Sequence, residues 1–86
     1  MVQYVGMDVH KETISVAVLH EESPAVVFAK TLRNDPGSLR IFFKRLKEKG
    51  MVAAAYEAGC MGFQLQRFFE SELQTPCTIV ATGKIP

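Results

Sequence analysis

Several classes of protein are excluded by what this sequence lacks. It holds two cysteines, Cys60 and Cys77. They make no disulfide framework and lack zinc-ligand spacing, so reduced thiols in a cytoplasmic protein are expected. The longest unbroken apolar stretch is Met51–Tyr56. That is far short of the ~20 residues of a membrane-spanning helix, so no membrane partner is expected. No basic segment leads into an apolar one, and no signal peptide is read. There are no internal repeats and no low-complexity tracts. At 86 residues the chain is too short for two domains. Charge of one sign is also missing: 10 Lys+Arg against 9 Asp+Glu leave a net charge of +1. So balanced a chain is expected to bind nucleic acid weakly by itself. Disorder is excluded by a composition of 48% hydrophobic and 22% charged residues.

The charge that is present is unevenly placed. Seven of the ten basic residues fall between Lys30 and Lys49, a stretch with only two acids, Asp35 and Glu48. The sequence ends at Lys84-Ile85-Pro86, just after an apolar run. We read it as a piece of a longer protein.

The apolar pattern alternates between two periods. Val2–Val9 is nearly all apolar with Asp8 near its end, which suits a strand buried on both faces. After His10-Lys11-Glu12, Thr13–Leu19 is rich in β-branched residues and forms a hairpin with the first strand. Glu21-Glu22-Ser23-Pro24 is the next turn, and Ala25–Leu32 the third strand. Asp35 then offers an N-cap and Pro36 a first helical residue. Leu39, Phe42, Phe43 and Leu46 recur on one helical face, and Gly50 ends the helix. Met51–Tyr56 is the fourth strand, ending at Glu57. A second helix follows with Met61, Leu65, Phe68, Phe69 and Leu73 on one face, and Pro76–Ala81 is the fifth strand.

Right-handed crossovers fix the topology from this order. The prediction is an α/β fold with a mixed five-stranded sheet in order 3-2-1-4-5. Strand two alone is antiparallel, and both helices lie on one face. This is the ribonuclease-H-like arrangement. The other face lacks a cover, so an exposed apolar patch and a homo-oligomer are expected.

The topology brings two acids together. Asp8 ends the first strand and Glu57 the fourth, and those strands are parallel neighbours. Ligands of open α/β sheets bind at this carboxyl edge. Strands lie ~4.8 Å apart, so two carboxylates there can share a cation. Hard oxygen donors suit Mg²⁺ or Mn²⁺ and phosphoryl transfer. Either acid alone is as readily a turn, cap or helix-dipole residue.

Three blocks in order resemble the DEDD-type insertion-sequence transposases, relatives of the Piv/MooV DNA invertases. They are Tyr4-Val5-Gly6-Met7-Asp8-Val9-His10-Lys11, Ala55-Tyr56-Glu57-Ala58-Gly59 and Ile79-Val80-Ala81-Thr82-Gly83-Lys84-Ile85-Pro86. The resemblance implies that residues 1–86 are a truncated RuvC-like N-terminal catalytic domain. It places the first Asp of an Asp-Glu-Asp-Asp metal site on Asp8 and the Glu on Glu57. The remaining two aspartates, and a downstream domain with a reactive serine, would lie beyond Pro86. The parent would be a transposase or recombinase acting on DNA, with an element-encoded guide RNA as a further partner. Many relatives carry Pro after the second block, where this chain has Cys60. That change touches a helix start and no metal ligand.

Other polar residues carry weaker expectations. Lys11 is placed to meet a phosphate, or is a solvated hairpin lysine. Arg40, Lys44 and Lys47 lie opposite the apolar face of the first helix, either as a nucleic-acid surface or as an ordinary solvated face. His10 and Thr13 are read as turn residues and His20 as exposed. Three competing functions remain. One is a ribonuclease-H-like resolvase or nuclease. Another is an actin/sugar-kinase-type nucleotide-binding domain, though the hairpin Asp8-Val9-His10-Lys11 lacks the glycine that lets backbone approach phosphate. The last is a non-catalytic interaction module.

Overall fold

The computed structural model describes residues 2–57 and 64–80. Seven elements follow in order: β1 (Val2–Val9), β2 (Thr13–His20), β3 (Ser23–Arg33), α1 (Pro36–Lys47), β4 (Met51–Glu57), α2 (Gln64–Ser71) and β5 (Cys77–Val80). They form one mixed sheet in the order β3-β2-β1-β4-β5. β2 runs antiparallel to β1 and β3, while β1, β4 and β5 are parallel. The expected topology is the one observed. Cys60, Met61 and Ala81 lie outside the described residues.

One difference concerns β3. It begins at Ser23, so the turn before it is only Glu21-Glu22. Pro24 reads as a turn residue in the sequence, but an edge strand tolerates it because no ladder partner needs its missing N–H. Two register shifts, between Val18 and Leu19 and between Leu19 and His20, let β3 carry three more residues (11 against 8) than the strand it pairs with.

The core lies between the sheet and both helices. β1 buries Gln3, Val5 and Met7, β2 buries Ile14, Val16 and Val18, and β4 buries Val52, Ala54 and Tyr56. α1 covers them with Leu39, Phe43 and Leu46, and α2 with Leu65 and Phe69. The Phe43 and Phe69 rings meet edge to face with centroids 4.8 Å apart, which locks the helices side by side. Gln3 is the buried polar exception on β1. Its Nε2 donates to the Leu46 carbonyl at 2.8 Å and ties β1 to the end of α1.

Helix ends follow the local chemistry. Asp35 caps α1 by accepting from the Ser38 N–H at 2.8 Å. That bond chiefly holds its carboxyl below the ordinary value, with the Ser38 hydroxyl and Arg33 adding to it against some desolvation. Beyond α1, Gly50 adopts φ 157°, which side-chain-bearing residues rarely adopt. Gln66 near the start of α2 donates its backbone N–H to the Tyr56 hydroxyl at 3.1 Å. Burial pushes the Tyr56 phenol up, and this donor opposes the shift.

Among the described residues no element covers the opposite face of the sheet. Strand β1 alternates strictly, with Tyr4, Gly6 and Asp8 exposed between buried neighbours. Burial on both faces, as the apolar run suggests, is therefore not what the described residues provide. The open face is paved with small residues: Gly6, Ala17, Ala29, Ala53 and Ala55 occupy neighbouring positions in register. A Cβ added at Gly6 would meet no atom within 4 Å.

Candidate functional site

The carboxyl edge of the open face carries the two acids. The parallel register of β1 and β4 pairs Gly6 with Ala55 and Met7 with Tyr56. One further step along it sets Asp8 level with Glu57. Gly6 and Asp8 share a face, as do Ala55 and Glu57, because side chains alternate along a strand. Both acids line one open cleft of about 830 Å³, together with Gly6, Ser15, Ala17 and Ala29. Among the described residues no basic side chain lines that cleft.

Asp8 and Glu57 are both exposed. Glu57 has no ion pair or hydrogen bond from its carboxylate among the described residues. Asp8 Oδ2 lies 3.2 Å from His10 Nε2, a contact between two exposed side chains. Such a surface contact contributes little stability. Like charges side by side on neighbouring strands repel. Among the described residues no Lys or Arg side chain pairs with either acid.

Their donor chemistry fits a hard divalent cation, because both supply carboxylate oxygens from one edge. The number of donors does not fill a coordination shell. Among the described residues no group of three or more His, Cys, Asp or Glu side chains is placed to hold a metal ion.

The turn that carries His10 and Lys11 is held from below. Asn34 donates its side-chain amide to the His10 carbonyl at 2.8 Å and more weakly to that of Lys11 at 3.4 Å, and its backbone N–H reaches the Glu12 carbonyl at 2.9 Å. His10 N–H closes the turn on the Thr13 carbonyl at 2.8 Å. Nothing in the residues around Asn34 singles it out, since only its place in the fold brings it under this turn. Ser15 is a second residue that sequence reasoning passed over. It pairs with Asp8 across the hairpin, and its hydroxyl lies 3.4 Å from that of Thr31. Counting residues back from the hairpin turn would have found it.

The other expected residues are dispersed. Lys11 is exposed at the turn and does not line the acidic cleft. Arg40, Lys44 and Lys47 lie on α1, across the sheet from Asp8 and Glu57. Arg40 pairs with Glu72 at 3.1 Å and lies over the Phe68 ring at 5.5 Å. Lys47 Nζ donates to the Leu73 carbonyl at 2.6 Å and the Gln74 carbonyl at 3.3 Å, closing the end of α2. Lys44 is exposed beside them, in a groove between the two helices that Arg40, Lys47 and Glu72 also line. His20 is half-buried, and Cys77 is buried. Burial pushes the Cys77 thiol up to about 11, with Glu70 adding to the shift. No helix among the described residues is long and apolar enough to cross a membrane.

Comparison with known proteins adds a name beside this geometry. The chain is 40% identical over 84 residues to the transposase for insertion sequence element IS1533 of Leptospira borgpetersenii. That match takes in 96% of this chain, which spans about a quarter (24%) of the length of that relative. No protein-family model matches the chain. Among solved structures, the type II variant of the Aquifex aeolicus Ppx/GppA phosphatase is similar with a TM-score of 0.60 at 7% identity, over 95% of this chain and 36% of that one. A second structure of the Aquifex aeolicus Ppx/GppA family member gives 0.57 at 9%, over 94% and 35%. At such identities the likeness is one of fold alone. It concerns the mixed five-stranded sheet with its two helices, and no ribonuclease H is among these neighbours.

Proposed function

We propose that this chain is the opening part of a RuvC-like, ribonuclease-H-like catalytic domain of a DNA transposase. In this reading Asp8 and Glu57 hold Mg²⁺ or Mn²⁺ as the first two carboxylates of a DEDD-type site. The observation that carries it is the pair itself: two acids level on neighbouring parallel strands, in a cleft that no basic side chain lines among the described residues. The 40% identity to an insertion-sequence transposase supports the substrate class.

The chemistry follows from charge. An acidic cleft repels a phosphodiester, so DNA approaches it only with a cation between them. Bound there, a divalent cation supplies Lewis-acid charge to the phosphoryl oxygens and lowers the pKa of a coordinated water. Asp8 and Glu57 fix its position from two strands of one rigid sheet. Gly6 has no side chain and Ala17 and Ala29 carry only methyl groups, which leaves the floor of the cleft open to a strand of DNA. His10 touches one oxygen of Asp8 and orients that carboxylate. By the same family resemblance, further carboxylates and an element-encoded guide RNA come from outside this chain.

The test is a transposition assay on the longer protein with Asp8→Asn and Glu57→Gln. Both side chains are exposed, so folding is expected to be unchanged and transposition abolished. Variants that fold and still transpose would make this domain an interaction module instead. The fold likeness to Ppx/GppA proteins favours one second reading, a nucleotide-binding domain. The glycine-free hairpin at Asp8-Val9-His10-Lys11 weighs against it. Micromolar binding of Mg-ATP in calorimetry would reverse that judgement.

A further inference from the structure

A second groove lies on the helical side of the sheet, away from the acidic cleft. It runs between β3 and the end of α1 and encloses about 460 Å³. Two aromatic rings form part of its wall. Phe28 of β3 stacks on Phe42 of α1, with centroids 6.2 Å apart and planes 23° from parallel. Phe28 is still 47% exposed. Lys30 lies two residues along β3 from Phe28 and so on the same face. Arg45 lies in the last turn of α1, and Lys49 just beyond it. All three cations and His20 line the groove, and no acidic residue does.

The cations have no work inside the fold. Among the described residues none of Lys30, Arg45 and Lys49 has an ion pair or a hydrogen bond from its side chain. Their neighbours Arg40 and Lys47 both do. A basic residue at a helix C-terminus complements the helix dipole, which accounts for Arg45. It does not account for Lys30, which comes from a strand, nor for an exposed ring stacked between the cations. An edge strand often carries a lysine to discourage pairing, but that leaves Phe28 beside it unexplained.

We propose that this groove binds a single-stranded polynucleotide. Its phosphates follow Lys30, Arg45 and Lys49, and a base extends the stack that Phe28 and Phe42 begin. Anion binding alone needs no rings, and an apolar partner needs no cations. Charged backbone alternating with flat aromatic groups is the chemistry that uses both. Duplex fits poorly, because its bases are already stacked on each other. The proposal stands on charge and rings and is independent of the carboxylate pair.

The test is fluorescence anisotropy of the 86-residue chain with short labelled oligomers of DNA and of RNA, single-stranded and as matched duplexes. A 2-aminopurine in the strand reports stacking by quenching. Single strands are expected to bind more tightly than duplex, with quenching. The tighter of the DNA and RNA arms names the strand taken. Phe28→Ala and Phe28→Leu are each expected to weaken binding about ten-fold and to remove the quenching. Leu keeps the apolar contact with Phe42, so agreement of the two variants excludes a folding defect. Arg45→Gln with Lys49→Gln is expected to lower the slope of log K against log salt by about 1.4, for two phosphates released. Equal or tighter binding of duplex, or unchanged affinity and quenching in Phe28→Leu, would overturn the proposal.

Discussion

Gly6 offers a direct probe of the open face that exposes Asp8 and Glu57. The perturbation is Gly6→Ala. Gly6 is not among the positive-φ residues, so its backbone is one that alanine adopts without strain. The added Cβ meets no heavy atom within 4 Å, so there is no steric cost. What remains is the unfolded chain: alanine there has fewer conformations to lose, a gain of about 0.4–1 kcal/mol. In a domain of this size 1 kcal/mol moves Tm by about 4–8 °C, so Tm is expected to rise by about 2–8 °C. Gly37→Ala is the contrasting case. Its Cβ would stand 3.3 Å from Asp35 Oδ1, the oxygen that caps α1. The gain in helix propensity there is offset by pressure on the cap, and its increase in Tm is expected to be the smaller relative to the ~1 kcal/mol propensity difference. Both are read by circular dichroism melting at low protein concentration. A fall in Tm for Gly6→Ala would mean that the face is packed, and the open cleft would be refuted.

Three further outcomes follow from the geometry. Tyr56→Phe removes the acceptor of the Gln66 N–H at the start of α2 and is expected to cost about 1–3 kcal/mol in denaturant unfolding. Asp35 titrates below its ordinary value of 3.8 in the folded chain. Its contribution to stability is therefore complete above that value and is lost as pH falls through the lowered folded one. Asparagine caps a helix without titrating, so Asp35→Asn is expected to flatten the decline of Tm below about pH 4. Cys77, with its thiol pushed up to about 11 by burial, is expected to resist a disulfide reagent at pH 8 while folded and to react once unfolded. That assay is run in a Cys60→Ser background, and fast reaction in the folded state would contradict the packing of β5 against α2.

Much of the fold is legible in the residues because each element announces itself twice. α1 has both a cap at Asp35-Pro36 and a spaced apolar face, and its bounds follow closely. β1 has a nearly all-apolar run, and its bounds are those read from the sequence. Its burial is not, because an apolar run cannot distinguish a strand covered twice from one covered once. β3 is misjudged at its start, since Pro24 signals a turn unless the strand is known to be an edge. The juxtaposition of Asp8 and Glu57 on one edge follows from topology alone, as parallel neighbours share their carboxyl ends. Their supporting cast does not. Ser15 needed the hairpin register, and Asn34 needed the path of β3 beneath the β1–β2 turn. The engagement of Arg40 with Glu72, and of Lys47 with carbonyls beyond α2, likewise depends on how the two helices pack.

The central claim is that Asp8 and Glu57 together hold a divalent cation on the open face. Paramagnetic broadening by Mn²⁺ in amide NMR spectra of the chain tests it most directly. The account predicts that the amides of Asp8, Val9 and Glu57 broaden first, and that Asp8→Asn or Glu57→Gln abolishes the effect. Broadening centred elsewhere, or unchanged by both substitutions, would contradict it.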